Sequence, residues 1–163
     1  MKSEEKYFLG LDPGKSGGWA VLKDGELLAC GSFHKDEEKT ELRNMIQELP
    51  LKGEVLGIIE KVGPMPKQGV KSTFSFGVEF GKLQGHACQG GIKLEFIPPK
   101  RWQSELLVRE LTDEGKLEDT KVVSLRTAKE LFPKFAHKFK RKSIDHGASD
   151  AALLAYYGWK NGL

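Results

Sequence analysis

Residues 7–12 read YFLGLD, a short apolar run that ends on an acid and is cut off at once by Pro13-Gly14. Such a run is a buried strand that stops sharply, because proline cannot extend the ladder and the Pro-Gly pair turns the chain. GWAVL (18–22), the pair Asp24-Gly25 and ELLACGSF (26–33) follow directly. An Asp-Gly pair between two strand-like runs signals a tight hairpin, since both turn positions need positive φ. Three antiparallel strands are therefore predicted at the head of the chain.

Beyond them the hydrophobic period changes. Leu42, Met45, Ile46 and Leu49 fall on one face of a helix over 37–49. EVLGII (54–59) is a second buried strand, leading to Glu60. A Gly-Pro-Met-Pro loop separates it from a helix predicted over 72–89. IKLEFI (92–97) alternates as a strand and stops at Pro98-Pro99, and helices are predicted over 100–111, 120–132 and 145–159. The order gives an α/β fold, a five-stranded mixed sheet (three antiparallel strands plus parallel strands) flanked by helices. The 163 residues, with no repeat or low-complexity segment, fit a single domain over 1–163. No apolar stretch is long enough to span a bilayer, and the charged start, MKSEEKYFLGLD, lacks the core of a secretory signal. Cys30 and Cys88 are far apart without metal-ligand spacing and read as reduced thiols, so an intracellular protein with no membrane partner is expected.

The acids carry the chemistry. Asp12 ends the first predicted strand and Glu60 ends the fourth; if those strands are neighbours, both carboxylates emerge at one sheet edge. His146 and Asp150 are four apart on the last predicted helix and share a face. Three carboxylates and an imidazole suit hard divalent cations. Phosphodiester hydrolysis uses such a cluster, in which two metals about 4 Å apart activate water and stabilise the leaving oxygen. Taken singly, each residue has a plainer use: Asp12 as a turn residue, His146 in a first helical turn, Asp145 as a helix N-cap.

GLDPGKS (10–16) imitates a phosphate-binding loop, but only three residues separate Gly10 from Gly14-Lys15 where that motif needs four. The turn also leads into a strand instead of opening a helix. No nucleotide cofactor is expected. Lys15 and Ser16 are left as phosphate contacts or exposed turn residues.

Net charge is only +3, yet Lys134, Lys138, Lys140, Arg141 and Lys142 crowd one late stretch, which suits either a phosphate backbone or a solvated loop. Lys67, Gln68, Lys71, Ser72 and Thr73 follow Glu60, and a helix starting near Ser72 would turn free N–H groups and hydroxyls towards the carboxylates. Gly77, Gly81 and Gly85 recur every four residues within that helix. Three glycines cost it roughly 3 kcal/mol relative to alanine, so close approach by another element is expected, either a partner's equivalent helix or the protein's own sheet.

The order of these motifs resembles the RuvC-type Holliday-junction resolvases of the RNase H-like superfamily, in particular the phage and organellar branch. GLDPGKSGGWAVL resembles the family's first motif, with Asp12 in the metal-binding position, and IIEKV the second, with Glu60. PMPKQGVKSTFSFG is similar to the phage-like branch, and DHGASDAALLAYYG resembles the last motif, with His146 and Asp150 in the third and fourth positions. Most members carry an acid where His146 stands, which keeps Asp145 as the alternative third ligand; a neutral imidazole would also favour Mn²⁺ over Mg²⁺.

The resemblance implies an RNase H-like fold and a structure-selective endodeoxyribonuclease that resolves four-way DNA junctions by paired symmetric nicks. It implies two divalent ions per site, Mg²⁺ or Mn²⁺, held by Asp12, Glu60, His146 and Asp150. Lys121 and Lys100 would be lysines of the active site, the first catalytic and the second on DNA. Bacterial relatives place an aromatic wedge after the second acid, where this chain has Gly63 and Met65. A homodimer follows from the two-fold character of a junction. DNA contacts are expected from Lys15, Lys67, Lys71, Ser72, Thr73, Lys100, Lys138, Lys140, Arg141 and Lys142. Two rival readings stand beside it: a related nuclease for flaps, forks or RNA–DNA hybrids, and a non-catalytic junction-binding protein.

Overall fold

β1 (Lys6–Asp12) is the central strand of a five-stranded sheet in the order β3-β2-β1-β4-β5, where β2 is Gly18–Lys23, β3 Glu26–Ser32, β4 Glu54–Glu60 and β5 Lys93–Ile97. The computed structural model describes residues 5–64, 66–140 and 146–163. β1–β2 and β2–β3 pair antiparallel, whereas β1–β4 and β4–β5 run parallel, so the predicted mixed sheet is present. Asp24 and Gly25 take φ of 51° and 82°, the double positive φ that the hairpin between β2 and β3 demands.

The helices are α1 (Asp36–Glu48), α2 (Val70–Gln89), α3 (Pro99–Leu106), α4 (Thr120–Leu131) and α5 (Gly147–Lys160). They sort by strand parity. Phe8, Leu56 and Ile58 join one buried cluster with α3, α4 and α5, whereas Tyr7, Leu9, Leu11, Val55 and Ile59 join another with α1 and α2. Because side chains alternate across a strand, Asp12 shares the face of Phe8, and Glu60 shares the face of Leu56 and Ile58. Both acids therefore point to the α5 side.

α5 lies almost on the sheet. A Cβ on Gly10 would run into the carbonyl oxygen of Ala151, and one on Gly147 would run into the Gly17 backbone. Only glycine permits that approach. The helix is alanine-rich for the same reason, with Ala148, Ala151, Ala152 and Ala155 all buried.

The helix predicted over 100–111 stops at Leu106. Leu107 leaves the helical region, and the chain forms an irregular hairpin through the Leu111–Leu117 bridge, tied to α4 by Arg126 on Glu118 at 2.7 Å. Leu111 pairs with Leu117 instead of continuing a helix, across a turn from Thr112 to Gly115 that closes with a 2.8 Å backbone bond. The glycine stripe also departs from one expectation. Nothing lies within 4 Å of a Cβ placed on Gly77, Gly81 or Gly85, so these residues do not admit the protein's own sheet. No helix among the described residues is long and apolar enough to cross a membrane.

Candidate active site

The register of β1 on β4 pairs Leu11 with Ile59, so Asp12 and Glu60 are the next residues of two adjacent parallel strands. Each leaves the sheet at its carboxyl edge and each keeps part of its surface open. α5 crosses above them. Asp150 lies in its first turn, immediately before the Ala151 that seats on Gly10. Three carboxylates, from two strands and one helix, thus lie within electrostatic range of one another.

Their electrostatics record the crowding. Burial pushes the Asp12 carboxyl well above the usual carboxylate range; Asp150 and then Glu60 push it further, and Lys121 opposes them. Burial raises Glu60 to about 7 against a hydrogen bond from Trp102, which acts downward. Asp150 rises to about 6, burial again outweighing the Ser124 hydroxyl and Lys121. Gathering like charges in a half-dry place is costly unless a cation shares it.

The supporting residues come from α3 and α4. Trp102 is wholly buried and donates its indole N–H to Glu60 Oε2 at 2.8 Å, fixing that carboxylate from below. Ser124 is buried and donates its hydroxyl to Asp150 Oδ1. Lys121 stands one helical turn before Ser124, in the first turn of α4, whose N-cap Asp119 accepts from the Lys121 backbone N–H at 2.8 Å. Neither Trp102 nor Ser124 was singled out in the sequence. A signal existed for Ser124, three residues after Lys121 and so on its face of the helix.

His146 is half-buried at the N-terminal boundary of α5, and its carbonyl accepts from the Asp150 N–H at 3.3 Å. It is one turn from Asp150, as the spacing required. Among the described residues, no three His, Cys, Asp or Glu side chains are placed so as to grip one ion together. The donor set nevertheless suits a hard divalent cation: oxygen ligands only from Asp12, Glu60 and Asp150, carrying more negative charge than Lys121 offsets. Asp145, Met65, Arg141 and Lys142 lie outside the described residues.

The expected DNA contacts spread around this edge. Lys15 is exposed in the β1–β2 turn, and Lys67 (φ 66°), Lys71 and Ser72 are exposed at the entry to α2. That helix begins at Val70, two residues before the predicted start, and Thr73 donates its hydroxyl back to Gly69 at 3.1 Å. Lys100 is exposed on α3 and Lys140 after α4. Lys138 has a second use: its ammonium donates to the Cys30 carbonyl at 3.0 Å and reaches Glu38 at 3.6 Å, which covers the β3 edge.

No protein-family model matches the chain, and no curated protein matches its sequence. Solved structures do match. The structure of Thermus thermophilus RuvC superposes with a TM-score of 0.58 at 16% identity, covering 96% of this chain and 96% of that one. T. thermophilus RuvC in complex with a Holliday junction substrate superposes with a TM-score of 0.60 at 15% identity and the same coverage. At such identity the likeness is one of fold. The chain has the RNase H-like fold of RuvC over nearly its whole length, as the motif resemblance implied.

Proposed function

We propose that this chain is a divalent-metal-dependent endonuclease that nicks four-way DNA junctions at paired, symmetric positions. The observation that carries the reading is the electrostatic crowding of Asp12 by Asp150 and Glu60, with Lys121 opposing it, at one edge of a RuvC-like fold. A binding module gains nothing from buried carboxylates beside phosphate, where they repel the ligand.

Asp12, Glu60 and Asp150 would hold Mg²⁺ or Mn²⁺, two per site, with His146 or Asp145 completing the set. The chemistry such ions supply when bound is activation of water and stabilisation of the leaving oxygen. The chain's own groups do the positioning. Trp102 holds Glu60 in place and Ser124 holds Asp150. Lys121 would supply an ammonium that stabilises the extra negative charge of the transition state. Lys15, Lys67, Lys71, Ser72, Thr73, Lys100, Lys140 and the basic stretch around Arg141 and Lys142 would hold the arms through phosphates, making affinity salt-sensitive.

A homodimer belongs to the same reading. Val70 and Phe74 on α2 are 88% and 73% exposed, and Val78 continues the same apolar face beside the open glycines. A second copy of α2 on that face would bury it and bring two sites into two-fold relation. An intracellular setting follows from a DNA substrate.

The test is direct. The unmodified protein, given Mg²⁺ or Mn²⁺, should nick a mobile four-way junction faster than a flap, a fork or an RNA–DNA hybrid, and Asp12→Asn should bind the junction without cutting it. Junction binding with no nicking in either metal would leave a non-catalytic binder. Preference for a flap would leave a related nuclease.

A further inference from the structure

On the sheet face opposite α5, a groove of about 460 Å³ opens between α1 and α2. Its rim is basic: Lys15, Lys39, Arg43 and Lys82 line it together with His34 and His86. Its floor is apolar, made by Phe33, Leu42, Ile46 and Leu83. The acid that lines it, Glu79, is taken up by Lys82 at 2.9 Å, and Lys39 meets Asp36 at 2.9 Å. Exposed pairs of this kind hold their partners weakly. Lys15 and Arg43 make no ion pair among the described residues.

One end of the groove lies at the carboxyl edge of the sheet. β3 runs parallel to β1, so Phe33 and His34, just past its end, lie at the same edge as Asp12 and Glu60. Lys15, three residues after Asp12, closes the upper end, and Gly14 beside it is within reach of the Phe76 ring of α2. Ile46 and His86 lie farther along the two helices, so the groove leads away from the candidate active site down one face.

We propose that this groove holds an unpaired stretch of nucleic-acid strand, its phosphates on the cationic rim and a base or sugar against the apolar floor. This rests on the endonuclease reading for its substrate class and shares Lys15 with it, but Phe33, Arg43, Lys82 and the floor between α1 and α2 have no part in that reading. A duplex arm turns its charged backbone outward and has no base face to offer a walled apolar floor. An unpaired strand offers both, and cationic grooves floored by apolar or aromatic groups are how such strands are held without sequence preference. An acidic peptide would satisfy the rim alone.

The probe is fluorescent hexathymidylate, its anisotropy read on the full chain with EDTA present so that nothing is cut. Arg43→Ala combined with Lys82→Ala should weaken binding about tenfold or more, and should reduce the slope of log affinity against log salt by about 1.4 if two phosphates are released. Both side chains are exposed, so an unchanged melting temperature should confirm the fold. Phe33→Ser should weaken hexathymidylate but not an abasic hexamer, and photocrosslinks from iodouracil should fall on the α1 and α2 peptides. Unchanged affinity in the double variant, equal binding of the abasic hexamer, or equal competition by hexaglutamate would overturn the proposal. Groove-independent binding of hexathymidylate alongside normal junction nicking sinks this inference alone. Groove-dependent binding in a protein that never nicks sinks the endonuclease reading alone.

Discussion

Gly10 of β1 lies directly beneath Ala151 of α5, with no room for a Cβ between the strand and the helix backbone. The relationship sets the site, because Asp12 follows Gly10 by two residues on the same strand face and Asp150 precedes Ala151 by one. A methyl at position 10 must lift the helix, and with it one carboxylate. Gly10→Ala should therefore cost about 3 kcal/mol, a fall of roughly 6–12 °C in Tm for a chain of this length, and should abolish nicking even where the protein remains folded. Thermal melts and a junction assay at a temperature below the lowered Tm separate the two losses. A variant that melts and cuts like the parent would show that the close approach is not needed.

The glycines of α2 should behave in the opposite way. Gly77, Gly81 and Gly85 have open space where a Cβ would go, so alanine should recover about 1 kcal/mol of helix propensity at each. If a second copy packs on this face, the same methyl holds the helices apart. Gly81→Ala should then raise Tm at low protein concentration while weakening self-association in sedimentation. A rise in Tm with unchanged association would place the dimer contact elsewhere.

Much of this was legible in the sequence because it depends on local rules. The strand ends at Asp12 and Glu60 follow from apolar runs that stop on an acid, and the hairpin follows from Asp24-Gly25. What the sequence does not carry is which pairs of elements touch. Gly10 reads as one more small residue in an apolar strand until α5 is laid over it, whereas the four-residue stripe in α2 announces packing that the described chain does not supply. Trp102 and Ser124 were silent for the same reason: their importance lies in reaching Glu60 and Asp150 across 42 and 26 residues of chain. The end of α3 at Leu106 is not legible because residues 110 and 111 pair with 118 and 117 across a hairpin, a contact that helical spacing does not carry.

The acids predict an inverted response to pH. Glu60 and Asp150 stand at about 7 and about 6 in the folded chain, above their ordinary values of 4.5 and 3.8. Between those limits the folded state binds more protons than the unfolded state, so stability must fall as pH rises through the window. With EDTA present, Tm should be lower at pH 8 than at pH 5 because of these groups. Asp12→Asn should flatten the dependence by removing a carboxyl whose own protonation is favoured in the folded chain. Mg²⁺ or Mn²⁺ should raise Tm at pH 8, since an ion bound only by the folded state stabilises it. A metal-free Tm that climbs with pH across this range, with no difference in Asp12→Asn, would refute the crowding.

Trp102 supplies a test of positioning. Its N–H holds Glu60 Oε2 at 2.8 Å, and hydrogen bonds to charged groups are worth about 1.5–3 kcal/mol. Trp102→Phe keeps most of the buried ring and deletes the donor. Single-turnover nicking at saturating metal should slow about tenfold to a hundredfold, with junction affinity nearly unchanged. Loss of affinity in step with rate would mean that the indole only supports the fold.

Lys121 is the sharpest case, because an exposed lysine in the first turn of a helix ordinarily needs no explanation. Here its charge acts on both Asp12 and Asp150, so the ammonium lies within electrostatic range of the carboxylates. If it also faces the scissile phosphate, its charge matters most when negative charge peaks in the transition state. Lys121→Met should then lower the nicking rate by about a hundredfold or more, the scale of losing one donor to a developing oxyanion, while junction affinity falls only as for any one phosphate contact. Lys121→Arg should recover part of the rate, because the charge is kept and its position is not. A methionine variant that cuts at the parent rate would return Lys121 to the surface, and the acids would then have to manage the transition-state charge without it.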